Sequence, residues 1–204
     1  MLDGLARARL APLLDGLARP LVAAGISANA VTLAACALGL VSAALIALSQ
    51  PQAALIPLLA SRLGDGLDGA VARLGGRTDL GGYLDIVLDF AFYGAVPLGF
   101  VIADPAANAI AGAVLLFAFY VNGASFLAFA AIAAERRMKT MERGPKSLFF
   151  TTGLAEATET LAVFVASCLA PAWFAAIAYA FAAVCLYTTL ARLVLAARTL
   201  GDGR

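Results

Sequence analysis

An all-α integral membrane protein of six spanning helices, preceded by an amphipathic N-terminal helix, is the fold class this sequence predicts. Three observations predict it. Apolar residues make up 63% of the 204 and charged residues 13%, against about 45–50% and about 25% in soluble domains. Six mainly apolar runs reach the about 20 residues that a helix rising ~1.5 Å per residue needs to cross a ~30 Å hydrocarbon core. The long basic stretches all fall on one side of the resulting zigzag. Mean hydropathy, at +0.93, agrees. The formal net charge of +1 says little by itself, and no nucleic-acid partner is expected.

Residues 1–24 are expected to form a juxtamembrane helix, and residues 25–204 a six-helix transmembrane catalytic domain. In the first segment Leu10, Leu13, Leu14, Leu17 and Leu21 share one helical face while Arg9, Asp15 and Arg19 lie off it, a pattern suited to lying in the membrane interface. A cleaved signal peptide is the rival, and Asp3 and Asp15 argue against it. The spans run approximately over 29–48, 52–73, 80–102, 106–134, 147–169 and 172–197. Short links without Lys or Arg join the first to the second, the third to the fourth and the fifth to the sixth.

With the N-terminus inside, Arg7, Arg9, Arg19, Arg73, Arg77, the basic loop 135–146, Arg192, Arg198 and Arg204 all become cytoplasmic. The positive-inside rule therefore orients both termini to the cytoplasm. Arg62 alone falls within a span, near its cytoplasmic half. Cys36, Cys168 and Cys185 are far apart, with no CxxC pair and no histidine to complete a zinc site. They read as small buried hydrophobes.

The acids are concentrated at 64–90, GDGLDGAVARLGGRTDLGGYLDIVLDF. Asp65, Asp68, Gly69, Ala72 and Arg73 follow i, i+3, i+4, i+7, i+8, one helical face about 12 Å long. Gly81, Asp85 and Asp89 follow i, i+4, i+8 on the next helix. A tight turn through Gly75 and Gly76 would aim the four carboxylates at one another near the inner leaflet. Each ionised acid in the hydrocarbon region costs about 2.5–3.5 kcal/mol on insertion scales, so something must compensate them. Arg62, Arg73 and Arg77 could do so as ion pairs. Divalent cations answer better: a carboxylate site without histidine or thiolate suits Mg, Mn or Ca, and four acids suffice for two ions sharing a ligand. Gly69, Gly81 and Gly82 leave room where a phosphate or nucleotide would approach the helix backbones, although glycine also serves helix packing. An EF-hand reading of DGLDG fails for want of alternating ligands and a terminal glutamate. A cation or proton transporter remains an alternative, without visible broken helices or inverted halves.

These residues resemble the signature of the CDP-alcohol phosphotransferase family, also called CDP-alcohol phosphatidyltransferases. It reads here Asp65, Asp68, Gly69, Ala72, Arg73, seven residues, then Gly81, Asp85 and Asp89. The spacer is one shorter than is common, which puts the phasing of Gly81 in question and makes Gly82 its substitute. Ile26 to Thr32, ISANAVT, is similar to the family's entrance to the first span, with Ala28 where proline is usual. The resemblance implies transfer of a substituted phosphate from a CDP-linked donor to an alcohol, with release of CMP, at a site holding two divalent cations, Mg2+ or Mn2+. By position it implies Asp65, Asp68, Asp85 and Asp89 as metal ligands, and Asp89 as the catalytic base for the acceptor hydroxyl. Gly69, Ala72, Arg73, Gly81 and Gly82 would line the donor pocket, with help from Asn29 and Thr32.

Within the class, the first expectation is a phospholipid-synthesis enzyme moving a phosphatidyl group from CDP-diacylglycerol to a small polar alcohol in the inner membrane. The reverse polarity, a soluble CDP-alcohol giving its head group to a lipid hydroxyl, is the alternative. The acceptor pocket is sought in Glu156 and Glu159, at i, i+3 in the fifth span, and in Arg137, Arg143 and Lys146 of the basic loop. A structural hydrogen-bond network is the other reading of the two glutamates. Homodimers are common in the family.

Overall fold

The computed structural model describes residues 2–135 and 155–201, with side chains from 9 to 135 and from 155 to 200. Every element among them is helical: α1 Leu2–Ala23, α2 Ala28–Ala47, α3 Pro51–Gly75, α4 Asp79–Ala103, α5 Pro105–Glu135, α6 Ala157–Leu169 and α7 Phe174–Gly201, with a 3-10 turn at Pro171–Trp173 before α7.

Local chemistry sets the helix ends around the acid-rich stretch. Ser27 caps α2, its hydroxyl accepting the Ala30 amide at 3.2 Å. Ala28 is then the first helical residue, the position proline favours because its fixed φ suits a first turn. Replacing proline by alanine there forfeits preorganisation and leaves the cap intact. Thr78 caps α4 in the same way, accepting the Gly81 amide at 3.0 Å. Between α3 and α4 the chain turns at Gly76, whose φ of +105° is open to glycine and strained for other residues.

Among the described residues four helices are long and apolar enough to cross a membrane: Ala28–Ala47, Asp79–Ala103, Pro105–Glu135 and, counted from the 3-10 turn, Pro171–Leu200. The sequence counts six. α3 has the length, at 25 residues, but from its middle onward it carries Arg62, Asp65, Asp68 and Arg73. α6 is described over 13 residues, and the first part of its sequence-predicted span lies outside the described residues.

α2 lies against both α3 and α4, α5 runs along α7, and α1 crosses α3, whereas α3 and α4 scarcely approach each other. The expectation of two directly apposed helices is thereby refined, because α2 forms the floor under both. The main core gathers Ile46, Leu58, Phe92, Val96, Leu115, Phe164 and Phe181 from six helices. In lipid this association rests on close packing rather than on the hydrophobic effect. A side chain at Gly39 would strike Phe92, and a Cβ at Gly99 would sit 2.6 Å from the Ala43 carbonyl. Outward faces carry Ile56, Phe117 and Tyr120, each more than half exposed, as a lipid-facing surface should. All three cysteines are buried and free.

The leucine stripe of α1 divides in two. Leu14 and Ala18 are buried against Ala70 and Val71 of α3, while Leu10, Leu13 and Leu17 stay exposed.

Gly99→Val should lower the midpoint of thermal unfolding in detergent, by the equivalent of about 1–3 kcal/mol of overpacking. Gly94→Ala on the same helix, where a Cβ meets nothing within 4 Å, should be neutral or slightly stabilising through helix propensity. Equal effects of the two would contradict the close α2–α4 approach.

Candidate active site between α3 and α4

Helical periodicity puts Asp65 and Asp68 on one side of α3, and the cap at Thr78 starts α4 so that Asp85 faces them. Carboxylate oxygens of Asp65, Asp68 and Asp85 lie within 4.8 Å of one another. A cation that binds oxygen at about 2.0–2.6 Å holds its ligand oxygens about 3–5 Å apart, so the three acids have the spacing for one ion. The donor set is all oxygen, as hard divalent cations prefer. The acids differ in exposure: Asp68 is buried at 6%, Asp65 is intermediate and Asp85 exposed. The site thus has a closed floor and an open rim.

Thr32 supplies the floor. Its hydroxyl donates to Asp68 Oδ2 at 2.6 Å and also lies 3.0 Å from the Ala28 carbonyl of its own helix. Thr32, expected to help line the donor pocket, is in direct contact with an acid of the cluster and fixes its orientation. Asn29 lies three residues before it, and its side-chain oxygen would be 2.9 Å from a Cβ at Gly81. Gly81 is therefore the residue whose missing side chain admits Asn29. At Gly82 a Cβ would meet nothing within 4 Å, and at Gly69 only Arg73, at 3.7 Å. Space against the backbone exists at Gly69 and Gly82, and at Gly81 the missing side chain lets Asn29 and Thr78 approach.

Asp89 stands one turn beyond Asp85, and an arginine holds it. Arg62 Nη1 donates to Asp89 Oδ1 at 2.8 Å and lies 3.6 Å from Asp65 Oδ1. The guanidinium sits 3.8 Å above the ring centroid of Phe92, a favourable cation–π placement. Of the arginines weighed as counter-charges, Arg62 reaches the acids. Arg73, expected in the donor pocket, donates to Asp15 Oδ1 of α1 at 2.8 Å, both side chains being 44% exposed, and Ala72 beside it is half-buried. Arg77 is exposed in the turn. The exposed Arg73–Asp15 pair ties α1 to α3 weakly.

The residues sought for the acceptor divide. Arg137, Arg143 and Lys146 lie outside the described residues. Glu156 and Glu159 begin α6, the first as its N-cap and the second in its first turn, where a negative charge suits the helix dipole. Glu159 Oε2 is buried without a hydrogen-bond partner among the described residues. Further along α6, Phe164 packs on Phe92 and Tyr93 at ring distances of 6.0 and 6.2 Å, so α6 shares the aromatic bed on which Arg62 rests. A second polar cluster joins α5 to α7: Arg192 Nη1 donates to Asn122 Oδ1 at 3.0 Å, and Ser125 donates to the Asn122 carbonyl at 2.7 Å. Arg192 and Asn122 thus serve the α5–α7 contact, and the Ser125 bond stays within α5.

Comparison with known proteins agrees with this geometry. A model described as CDP-alcohol phosphatidyltransferase matches residues 25–194. The chain is 48% identical over 193 residues to the "Inner membrane protein YnjF" of Escherichia coli (strain K12), covering 95% of this chain and 94% of that one. Among solved structures it resembles Mycobacterium tuberculosis phosphatidylinositol phosphate synthase, PgsA1, with CDP-DAG bound, at a TM-score of 0.67 and 23% identity over 89% of this chain and 92% of the other. The same synthase in complex with manganese and citrate gives 0.67 and 24% identity over 88% and 87%. At such identities the likeness is one of fold.

Proposed function

Since the chain belongs to the CDP-alcohol phosphatidyltransferase family, being an enzyme that transfers substituted phosphate groups, we propose that it moves a phosphatidyl group from CDP-diacylglycerol to a small polar alcohol and releases CMP. The meeting of Asp65, Asp68 and Asp85 within 4.8 Å, in the family's own signature, carries this reading. The mycobacterial synthase of the same fold was solved with CDP-DAG and, separately, with manganese, which supports a CDP-linked lipid donor and a divalent metal.

In this reading Asp65, Asp68 and Asp85 hold the first of two divalent cations, Mg2+ or Mn2+, and Asp89 joins in holding the second. Bound there, the cations would neutralise the donor diphosphate and the departing CMP. The chain's own residues do the rest. Thr32 keeps the Asp68 carboxylate turned to the cluster, and the bare backbones at Gly69 and Gly82 admit the nucleotide diphosphate, with Ala72, Arg73, Gly81 and Asn29 around it. Asp89 takes the proton of the acceptor hydroxyl as its oxygen bonds to phosphorus, the bond from phosphorus to CMP breaking in the same displacement. A positioned carboxylate suffices as the base, because the attacking hydroxyl loses its proton only as the new bond forms.

The proposal extends to topology. Six helices cross the inner membrane, α3 included because its charges face the site, and residues 1–24 lie at the interface with Leu10, Leu13 and Leu17 toward lipid, ahead of a catalytic domain over 25–204. Both termini and the acid cluster are cytoplasmic by the distribution of basic residues. The acceptor pocket is drawn from Glu156, Glu159, Arg137, Arg143 and Lys146, and the chain works as a homodimer.

Purified protein in detergent with Mn2+ or Mg2+, CDP-diacylglycerol and a panel of glycerol phosphate, inositol phosphate, serine, choline and glycerol should release CMP with one acceptor, the lipid product identified by mass spectrometry. Release of CMP only from a soluble CDP-alcohol with diacylglycerol would reverse the polarity. No release from any CDP-linked donor would overturn the reading.

Thr32→Val, nearly the same shape without the hydroxyl, should weaken Mn2+ binding about 10- to 100-fold, the usual effect of losing a partner that orients a metal ligand. Titration followed by Mn2+ electron paramagnetic resonance checks it, and an unchanged isotherm would contradict it.

A further inference from the structure

Arg62 is held from several directions at once. Its side chain is 11% exposed; Nη1 reaches Asp89 at 2.8 Å and Asp65 at 3.6 Å; Nη2 donates to Ser61 Oγ at 3.2 Å. The guanidinium carbon stands 3.8 Å from the Phe92 ring centroid and 5.5 Å from that of Tyr93. Nε is buried with no hydrogen-bond partner among the described residues. A guanidinium in this place competes with a divalent cation for Asp89. The two positive charges repel, and Nη1 occupies Oδ1, one of the two carboxylate oxygens an ion would use.

We propose that Arg62 is the resident counter-ion on the Asp65–Asp89 edge of the site, and that a second divalent cation reaches Asp89 only by displacing its guanidinium. The inference rests on the two-cation reading above and adds an order of binding to it. The first cation enters among Asp65, Asp68 and Asp85, where no described guanidinium hydrogen bond stands in the way. With that ion and Arg62 both in place, four carboxylates face three positive charges. A second divalent ion at Asp89 would stand against the guanidinium within a low-dielectric site, and the close repulsion drives Arg62 off the Asp89 oxygen as the ion enters. Phe92 and Tyr93 give the displaced cation an aromatic surface to stay on. Arg62 is thus a positioning residue, acting through Asp89.

The test uses the full chain in detergent and Mn2+ alone, with no donor or acceptor, read by electron paramagnetic resonance or calorimetry. The wild type should bind two ions of well-separated affinity. In Arg62→Met the second should bind about tenfold or more tightly while the first changes little, since one charge-assisted hydrogen bond no longer has to be broken. Metal-free Arg62→Met should also unfold at lower temperature and gain more from Mn2+ than the wild type does. Should that variant not fold, Arg62→Lys, with one point charge and no planar stack, should show an intermediate separation. An unchanged or weakened second site in both variants overturns the proposal. So does a second ion that never binds in any of them while the first binds normally, and that outcome leaves the Asp65, Asp68 and Asp85 site standing. No Mn2+ binding at all in the wild type would remove the metal reading itself, and this inference with it.

Discussion

Asp68→Asn is expected to reduce CMP release by at least about 10²- to 10³-fold, the range seen when a single charge-stabilising group is removed from a preorganised site. Asparagine keeps the shape of the side chain and an oxygen to accept the Thr32 hydroxyl, now 2.6 Å from Asp68 Oδ2, so the local packing survives. What it loses is one negative charge from three carboxylates whose oxygens lie within 4.8 Å. Because Asp68 is the most buried of the three, solvent screens that charge least, and its removal should weaken Mn2+ binding most. Stability should move the other way. Without metal the clustered acids repel and lie in an environment that disfavours charge, so metal-free Asp68→Asn should unfold at the same temperature as the wild type or higher. The stabilisation by Mn2+ should largely vanish. A variant that is inactive because it is misfolded would show the opposite, a lowered metal-free transition. Wild-type activity would exclude Asp68 from the site.

Asp89→Asn is expected to cut transfer by about 10²- to 10⁴-fold, the usual worth of a general base, while CDP-diacylglycerol binding stays measurable. The separation of the two readouts decides the role. Asp89 stands one turn beyond Asp85, beside Asp65, and is bonded to Arg62 at 2.8 Å, so its neutralisation keeps all three charges of Asp65, Asp68 and Asp85. The guanidinium of Arg62 keeps Asp65, at 3.6 Å, and the Phe92 ring, which limits the penalty of an unpaired buried charge. Full activity in Asp89→Asn would remove the base assignment. Loss of donor binding along with turnover would make Asp89 a binding residue.

Much of the site was legible because helical periodicity is a local property. Asp65 and Asp68 at i, i+3, and Asp85 and Asp89 at i, i+4, must share faces whatever else the chain does, and the glycine turn between the two helices was readable from Gly75 and Gly76. The caps at Ser27 and Thr78 are likewise short-range. Less visible were contacts whose partners are far apart in the chain. Thr32 to Asp68 spans 36 residues and depends on α2 lying beneath both acid-bearing helices. Arg73 was legible only as a donor-pocket residue or a counter-charge to the clustered acids; packing of α1 across α3 brings it to Asp15. A signal for Arg62 existed, an arginine three residues before Asp65 and within an apolar span, but one helix cannot reveal that its guanidinium also reaches Asp89 on the next.

The residues by themselves determined a helical membrane chain, its acid-bearing faces and the chemistry those faces suit, because apolar run length and the 3.6-residue repeat act within single segments. Tertiary structure alone decided which three of the four acids converge, that Thr32 orients Asp68, and that Arg62 guards Asp89. The physical reason is that these relations depend on the distance and rotation between helices. Close approaches at Gly39 and Gly99 and the aromatic packing around Phe92 set both, and no periodicity within one helix encodes them.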